Sequence, residues 1–334
     1  MVQHSTLYIG TLSGQGLGYA GATDDRPGAP GVLGAVREPS ALALSADRRT
    51  LYATSELVPT GKVTAIDVRD PLVPRVLSTR PSGGAGPTHL AVHGRFLVTA
   101  HYTDGRVATH PLGTDGRIGA MASVVRHEGA QPHAHQVIPD PTGQWLLSVD
   151  LGADAVFVHK VDQNSGAIST HSKLTTTRGT GPRHLAFHPD GRRVFLLGEQ
   201  RAVLIEARWD ATAGTLTAVS ETSVLGSGAP SPTYPAEVLV SPDGRFVYAT
   251  TRGEDAVAVL GVESGQPKLV QTASTGGAWP RHCAFARDDR WLYVANERSS
   301  LVTMLPRDPA TGRLGTPEKA ATVQGACWVT VLAP

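Results

Sequence analysis

The sequence predicts an all-β fold, a seven-bladed β-propeller in which residues 1–334 form one domain. A short phrase recurs six times, and each copy is typical of two antiparallel strands joined by a tight turn that is usually Asp-Gly. Successive copies begin 45 to 53 residues apart, and 334 residues at about 48 per blade give seven blades. The copies begin at Pro39, Pro87, Ala134, Pro182, Pro235 and Pro280.

The seventh blade must be built from the two ends of the chain. Residues 5–11 and residues 326–332 are each typical of a single strand. Pairing these strands would close the ring and remove the sheet edges that an open array exposes. We therefore predict that N-terminal and C-terminal strands close the seventh blade.

Composition and charge exclude several classes of partner. The net charge of +1 argues against binding to nucleic acid or to an acidic membrane. No apolar run approaches the roughly 18 residues of a membrane span. Cys283 and Cys327 are the two cysteines, which are too few for a disulfide framework. The first residues lack the pattern of a secretion signal, so we expect a cytoplasmic protein. Nothing in the sequence indicates the oligomeric state.

One glycine motif could suggest a nucleotide cofactor. Gly16, Gly18 and Gly21 have the spacing of the dinucleotide-binding fingerprint, which needs a helix after the glycines. Pro27 and Pro30 follow instead, and a segment with these prolines cannot open a helix. We predict a loop here, and we expect the protein to need no cofactor.

Polar residues occupy equivalent positions at the start of the first strand and at the end of the second strand of the repeats. Because the two strands are antiparallel, both positions lie at one mouth of the central channel. Strand ends are often polar because they face solvent, but propeller symmetry directs this set to one small area. Convergent polar groups predict a binding site. The set comprises Glu56, His101, Tyr102, His133, His135, Asp150, Arg183, Glu199, Arg252, Arg281 and Asn296.

Two ligand chemistries fit this set, a metal ion and an anion. His133 and His135 alternate along a strand and could bind a divalent cation together with Asp150 or Glu199. Three guanidinium groups at the same mouth would repel a cation and favour an anion, so we predict no metal site. These groups belong to Arg183, Arg252 and Arg281.

A further histidine recurs one residue along the strand from the mouth position, as His89, His184 and His282. Neighbouring residues on a strand point in opposite directions, so we expect these side chains to face away from the mouth. Buried polar groups are normally hydrogen-bonded. We therefore expect the three histidines to pack between blades as hydrogen-bonded residues.

Four segments resemble the lactonase family of seven-bladed propellers, which includes propeller-type 6-phosphogluconolactonases and fungal 3-carboxy-cis,cis-muconate cyclase. The resemblance extends from about residue 5 to the C terminus. The phrase Gly-Pro-Arg-His with its following Glu is its most specific part, whereas the Asp-Gly turns are common to many propellers. The segments are residues 132–137, 148–156, 179–191 and 237–248.

The resemblance implies a catalytic group of one His, two Arg and one Glu. By motif these fall on His135, Arg183, Glu199 and Arg252, all of which belong to the polar set at the mouth. The chain departs from the family pattern at His101, where Asn is usual, and at Thr251, where Asn also is usual. His101 changes the hydrogen-bond donors expected at the rim.

Three functions are consistent with these residues. The first is a lactone hydrolase acting on an anionic or sugar lactone, with 6-phosphogluconolactone as the leading candidate. Glu199 or His135 would be the general base, and Arg183 and Arg252 would stabilise the oxyanion or hold an anionic group. The second is a cycloisomerase that adds a carboxylate across a double bond with the same groups. The third is a binding propeller without chemistry.

Overall fold

The computed structural model describes residues 4–263 and 265–333, whose strands form the predicted seven-bladed β-propeller. The seventh blade contains the first four strands of the chain and the last one. They are β1 (His4–Thr11), β2 (Leu17–Thr23), β3 (Arg26–Pro27), β4 (Gly31–Leu33) and, at the C terminus, β29 (Ala326–Leu332).

Each of the other six blades is a sheet of four consecutive strands. Blade 1 contains β5 (Leu42–Leu44), β6 (Thr50–Ser55), β7 (Lys62–Asp67) and β8 (Arg75–Pro81). Blade 2 contains β9 (Pro87–His93), β10 (Phe96–His101), β11 (Arg106–Pro111) and β12 (Ser123–Arg126). Blade 3 contains β13 (Ala134–Pro139), β14 (Leu146–Asp150), β15 (Ala155–Val161) and β16 (Ile168–Thr175).

The second half of the ring has the same organisation. Blade 4 contains β17 (Pro182–Phe187), β18 (Arg193–Gly198), β19 (Val203–Asp210) and β20 (Thr215–Ser223). Blade 5 contains β21 (Tyr234–Val240), β22 (Phe246–Arg252), β23 (Ala256–Gly261) and β24 (Lys268–Ser274). Blade 6 contains β25 (Pro280–Phe285), β26 (Trp291–Asn296), β27 (Leu301–Pro306) and β28 (Glu318–Thr322).

The first strand of each of these six blades is the innermost one. These strands contact one another in sequence around a closed ring, and β29 takes the place between β25 and β5. Strand β29 is antiparallel to β1, with register from Thr6 opposite Leu332 to Gly10 opposite Trp328. Strand β1 pairs with β2 on its other edge. The prediction that the two chain ends close the seventh blade is therefore confirmed.

Seven apolar clusters fill the spaces between neighbouring blades in the described part of the chain. Strand β1 contributes to two of them, because Leu7 and Ile9 pack towards blade 6 while Tyr8 packs towards blade 1. All three side chains have no exposed surface. The closing strand is thus held by hydrogen bonds along both edges and by apolar packing on both faces.

A β-bulge interrupts the innermost strand near its start in most blades. In blade 4, Pro182 pairs with Gly198 and His184 pairs with Leu197, so that Arg183 is left without a partner across the ladder. An extra residue of this kind bends the strand and redirects the side chains beside it. Register shifts at the same place occur in blades 2, 3, 5 and 6.

The glycine motif near the N terminus lies in β2 and the turn before it. The predicted loop is wrong from Leu17 to Thr23, which form a strand paired with β1. A Cβ atom added to Gly18 would lie 3.1 Å from the side chain of Val323, so glycine here allows close packing of strands.

No helix in the described part of the chain has the length and hydropathy needed to cross a bilayer.

Candidate active site

Equivalent residues from the start of the innermost strands surround one mouth of the central channel. Six of them line one small cavity together, and the seventh, Ala236, contributes a carbonyl oxygen that accepts a hydrogen bond of 2.6 Å from Arg183 Nη1. The structure therefore brings His135, Arg183 and Arg281 together. The six are Ser40, Thr88, His135, Arg183, Arg281 and Cys327.

Glu199 connects two of the predicted arginines. It follows the last residue of β18, and its backbone N–H donates to Gly181 O at 2.8 Å. Its Oε2 lies 3.1 Å from Arg183 Nε and 2.8 Å from Arg252 Nη2. A single carboxylate thus balances two guanidinium groups at the mouth, and it fixes their separation.

The same two arginines are also anchored to the backbone. Arg252 Nε donates to Tyr234 O at 3.1 Å and its Nη2 donates to Pro235 O at 3.2 Å. Arg183 is buried, and burial, together with the charges of Arg252 and Arg281, lowers its pKa to about 9. Both side chains remain cationic at neutral pH and are held in one orientation.

His135 lies beside this charged cluster as a buried imidazole. Only 4% of the residue is exposed, and its Nδ1 has no hydrogen-bond partner among the described residues. Burial lowers the pKa of His135 well below its usual range, and the nearby Arg183 acts in the same direction. His135 is therefore neutral at pH 7.

Glu56 and Arg281 complete the cavity on the side of blades 1 and 6. Arg281 Nη1 lies 3.5 Å from Glu297 Oε2. Glu56 Oε2 is buried without a hydrogen-bond partner among the described residues, and burial raises the pKa of this carboxyl against the opposing charge of Arg281. Glu297, which was left out of the predicted site, occupies the same repeat position as Glu199 and makes the corresponding arginine contact.

Tyr102 and His133 form an aromatic pair at the rim. Their rings stack with centroids 4.5 Å apart, and His133 Nδ1 donates to Tyr102 O at 2.7 Å. The Tyr102 ring also meets His135 edge-on at 5.8 Å. Burial raises the pKa of Tyr102, and the charge of Glu199 acts in the same direction.

Three residues of the predicted set do not reach the mouth. His101, Asp150 and Asn296 have no exposed surface and hydrogen-bond within or between blades. His101 Nδ1 donates to Arg106 O at 3.2 Å, and Asn296 Nδ2 donates to Thr303 Oγ1 at 3.0 Å. These residues are the last of their strands, one position before the side chains that do face the mouth, so they point the opposite way.

Asp150 instead stabilises the loop that leads to the site. Its Oδ2 lies 2.7 Å from His127 Nδ1, and its Oδ1 accepts the backbone N–H of His133 at 2.8 Å. The His133, His135 and Asp150 side chains therefore do not converge on one point. No group of three or more metal-ligating side chains occurs among residues 4–263 and 265–333.

The prediction that the three recurring histidines face away from the mouth is wrong for His184. His89 and His282 line a separate cavity and do not border the one at the mouth. His184 borders the same cavity as Arg183, because the bulge lets two consecutive side chains point inwards. The prediction that these histidines have polar partners agrees with the contacts of His184 and His282. Glu237 Oε2 lies 3.0 Å from His184 Nδ1 and 3.3 Å from His282 Nε2.

A larger cavity lies elsewhere on the molecule. It has a volume of about 770 Å³ and lies at the seam between blades 7 and 1, lined by Arg48, Arg49 and Arg69 among others. Arg69 there is already paired with Asp67 at 2.6 Å. We place the site at the smaller cavity because the buried His135 and the paired Arg and Glu side chains converge only there within the described residues.

The burial of His101 has a measurable consequence for stability. Burial lowers its pKa from 6.5 to about 4, so the unfolded chain binds a proton that the folded chain does not bind. The free energy of unfolding should then fall as pH drops from 6.5 towards 4, by up to about 1.4 kcal/mol per pH unit from this group. The His101→Asn variant, which has the residue found at the equivalent Asn296, should lose less stability on acidification. Urea unfolding of both proteins at pH 7, 6 and 5 measures this, and parallel pH curves would contradict it.

Comparison with known proteins identifies the family. The model of the family "Lactonase, 7-bladed beta-propeller" matches residues 6–331, and the chain belongs to this family. A 6-phosphogluconolactonase of Bacillus subtilis is 31% identical over 242 residues, which cover 69% of each chain. A 6-phosphogluconolactonase of Pectobacterium carotovorum is 29% identical over 252 residues, covering 74% of this chain and 75% of the relative.

Solved structures agree with this placement. A periplasmic gluconolactonase of Pseudomonas aeruginosa superimposes with a TM-score of 0.92 at 26% identity, covering 99% of both chains. A protein of Lactobacillus plantarum superimposes with a TM-score of 0.90 at 28% identity, covering 99% of this chain and all of that one.

Proposed function

We propose that this chain is a lactone hydrolase that acts on an anionic or sugar lactone, with 6-phosphogluconolactone as the leading candidate substrate. The observation that supports this most directly is a neutral, buried His135 beside two arginines that share Glu199. Ring opening needs a proton acceptor for water and positive charge for the oxyanion, and both occur at this mouth. The named activities of the B. subtilis and P. aeruginosa relatives also support it.

In the proposed reaction, a water molecule attacks the carbonyl carbon of the lactone while the His135 imidazole accepts a proton from it. The new C–O bond forms, and the π electrons of the carbonyl move to its oxygen. Collapse of this intermediate breaks the bond between the carbonyl carbon and the ring oxygen. The leaving oxygen takes the proton from His135, and the products are a hydroxyl group and a carboxylic acid, which ionises at neutral pH.

The charged cluster would stabilise the intermediate. Arg183 and Arg252 present fixed positive charge where the oxyanion develops, and fixed groups need no reorganisation during the reaction. Glu199 keeps the two guanidinium groups at one separation, through contacts of 3.1 and 2.8 Å. We therefore propose His135 as the general base and Glu199 as the residue that positions the arginines.

A panel assay tests the proposed activity. Purified protein is mixed with 6-phosphogluconolactone, glucono-1,5-lactone or 3-carboxy-cis,cis-muconate, and ring opening or cyclisation is followed against the uncatalysed rate. We expect ring opening of at least one lactone well above background and no cyclisation of the muconate. Cyclisation alone would establish the cycloisomerase alternative, and no turnover of any compound would leave a binding propeller.

Chelation tests the absence of a metal requirement. The arginines at the mouth favour anions, and His133 donates to a backbone carbonyl while Asp150 is occupied by His127. We expect lactone hydrolysis to be unchanged, within about twofold, after treatment with EDTA, since every step above uses only protein groups and water. Loss of activity that one divalent ion restores would contradict this prediction.

The cytoplasmic location expected from the sequence is part of the proposal. The structural neighbour from P. aeruginosa is named periplasmic, so relatives of this fold occur outside the cytoplasm. Cell fractionation with an antibody against the chain measures the location.

A further inference from the structure

In blade 6 a tryptophan occupies a backbone position that is glycine in three of the other blades. The residue before the opening residue of the innermost strand has a left-handed conformation in Gly86, Gly181 and Gly325, with φ of 61°, 57° and 66°. Trp279 has the same conformation in blade 6, with φ of 65°, and Glu38 has φ of 43° in blade 1. A bulky residue in this region costs on the order of 1–3 kcal/mol, and such strain clusters at functional sites. The strained backbone therefore indicates that the Trp279 side chain has a specific role at this position.

Neighbouring groups hold Trp279 in this strained conformation. Asp255 Oδ1 accepts its backbone N–H at 2.8 Å, and its carbonyl oxygen accepts the N–H of Glu297 at 3.0 Å. Its indole ring meets the Tyr234 ring edge-on at 6.2 Å. The tryptophan is thus fixed at the mouth, between the strand that ends at Arg252 and the residues that follow β26.

The indole ring orients two arginines. The guanidinium carbon of Arg298 lies over the ring, 3.3 Å from its centroid, and that of Arg252 lies 5.5 Å from it. A cation over an aromatic face is attracted by the ring, and a guanidinium held this way keeps its N–H groups available at the edge. Arg298 is therefore held over the same indole ring that Arg252 approaches.

Arg298 differs from the arginines deeper in the mouth because no carboxylate in the described part of the chain neutralises its charge. Arg183 and Arg252 share Glu199, and Arg281 lies beside Glu297. Arg298 is exposed, and it has no ion-pair partner among residues 4–263 and 265–333. Its positive charge is thus available to an anionic group that enters the mouth from solvent.

We propose that Trp279 and Arg298 form an anion-binding subsite that holds a phosphate of the substrate at a distance from the reacting lactone carbonyl. The proposal rests on the lactone hydrolase function above and narrows its substrate class to phosphorylated sugar lactones over neutral ones. Guanidinium groups bind phosphate oxygens through two parallel hydrogen bonds. Because Trp279 orients Arg298 in advance, less conformational freedom is lost when the phosphate binds.

The selectivity of the enzyme tests this subsite. The kcat/KM values for 6-phosphogluconolactone and for glucono-1,5-lactone are measured for the wild type, Arg298→Ala and Trp279→Gly. We expect both variants to lower the ratio of phosphorylated to neutral substrate by about tenfold or more, as for loss of a charge-assisted hydrogen bond. Arg298→Ala should keep kcat/KM for the neutral lactone within about threefold, since Arg298 does not contact the reacting atoms.

Arg201→Ala is the matched control, because Arg201 is exposed after Glu199 in blade 4 and pairs with Glu221 at 2.7 Å. It removes the same charge from the same face and should leave the ratio within about twofold, as a screened surface pair does. Hydrolysis of both lactones with an unchanged ratio in Arg298→Ala would overturn the subsite alone. Hydrolysis of neither lactone by the wild type would overturn the proposed function and the subsite with it.

Discussion

Replacing Glu199 by Gln is expected to lower kcat for the lactone by roughly 10²-fold or more while the protein stays folded. The substitution keeps the shape of the side chain and removes its charge. In the wild type, Arg183 and Arg252 lie 3.1 and 2.8 Å from one oxygen of the Glu199 carboxylate. Without this negative charge, the two guanidinium groups would repel each other. A shift of about 1 Å in groups that stabilise the oxyanion costs about this much in rate. Initial rates at saturating lactone measure the effect.

Glu221→Gln is the control for Glu199→Gln. Glu221 pairs with Arg201 through a partly exposed contact of 2.7 Å, so its loss removes one carboxylate without touching the mouth. We expect its kcat within about twofold of the wild type, because such pairs contribute little. Circular dichroism and melting temperature show whether each variant folds. A folded Glu199→Gln protein with kcat within about threefold of the wild type would contradict the role of Glu199.

Deletion of residues 1–11 is expected to prevent soluble, cooperative folding. The deletion removes β1, which pairs with β29 on one edge and with β2 on the other. It also removes three fully buried side chains from two of the clusters between blades, and each large buried side chain contributes about 2–5 kcal/mol. Together these losses are as large as the roughly 5–15 kcal/mol that stabilises an ordinary domain. The side chains are Leu7, Tyr8 and Ile9.

Deletion of residues 1–3 alone is the control, since β1 begins at His4 and is kept whole. Solubility, circular dichroism and a thermal melt compare the two deletions. We propose that residues 1–334 fold as one domain. If so, loss of the closing strand β1 should destabilise the whole ring and not the seventh blade alone. A 1–11 deletion with the melting transition of the full chain would contradict both closure and the single domain.

The repeat was sufficient to predict the architecture because blade size and chain length together determine the number of blades. The closing pair was also predictable, since residues 5–11 and 326–332 were strands without a blade of their own. Convergence of His135, Arg183, Glu199 and Arg252 follows from the same symmetry. These features depend on spacing along the chain, and spacing is visible in a sequence.

Side-chain direction beside the mouth was harder to predict. Strict alternation predicted that His184 faces away from the mouth, whereas the bulge at Arg183 lets both residues border the mouth cavity. His101 was expected at the rim, but alternation on a regular strand end buries it against Ser82. The position of a bulge depends on the pairing of two strands, and that pairing is not visible in the local residue pattern. Trp279 was missed for a similar reason, because nothing local reveals its left-handed backbone.

A crystal structure with 6-phosphogluconate, the product of the leading candidate reaction, tests the central claim most directly. We expect the product at the mouth formed by the innermost strands, with its new carboxylate at Arg183 and Arg252 beside His135. The phosphate should lie at Arg298. Product bound instead in the cavity of about 770 Å³ at Arg48 and Arg49, with the mouth unchanged, would contradict the assignment of the site.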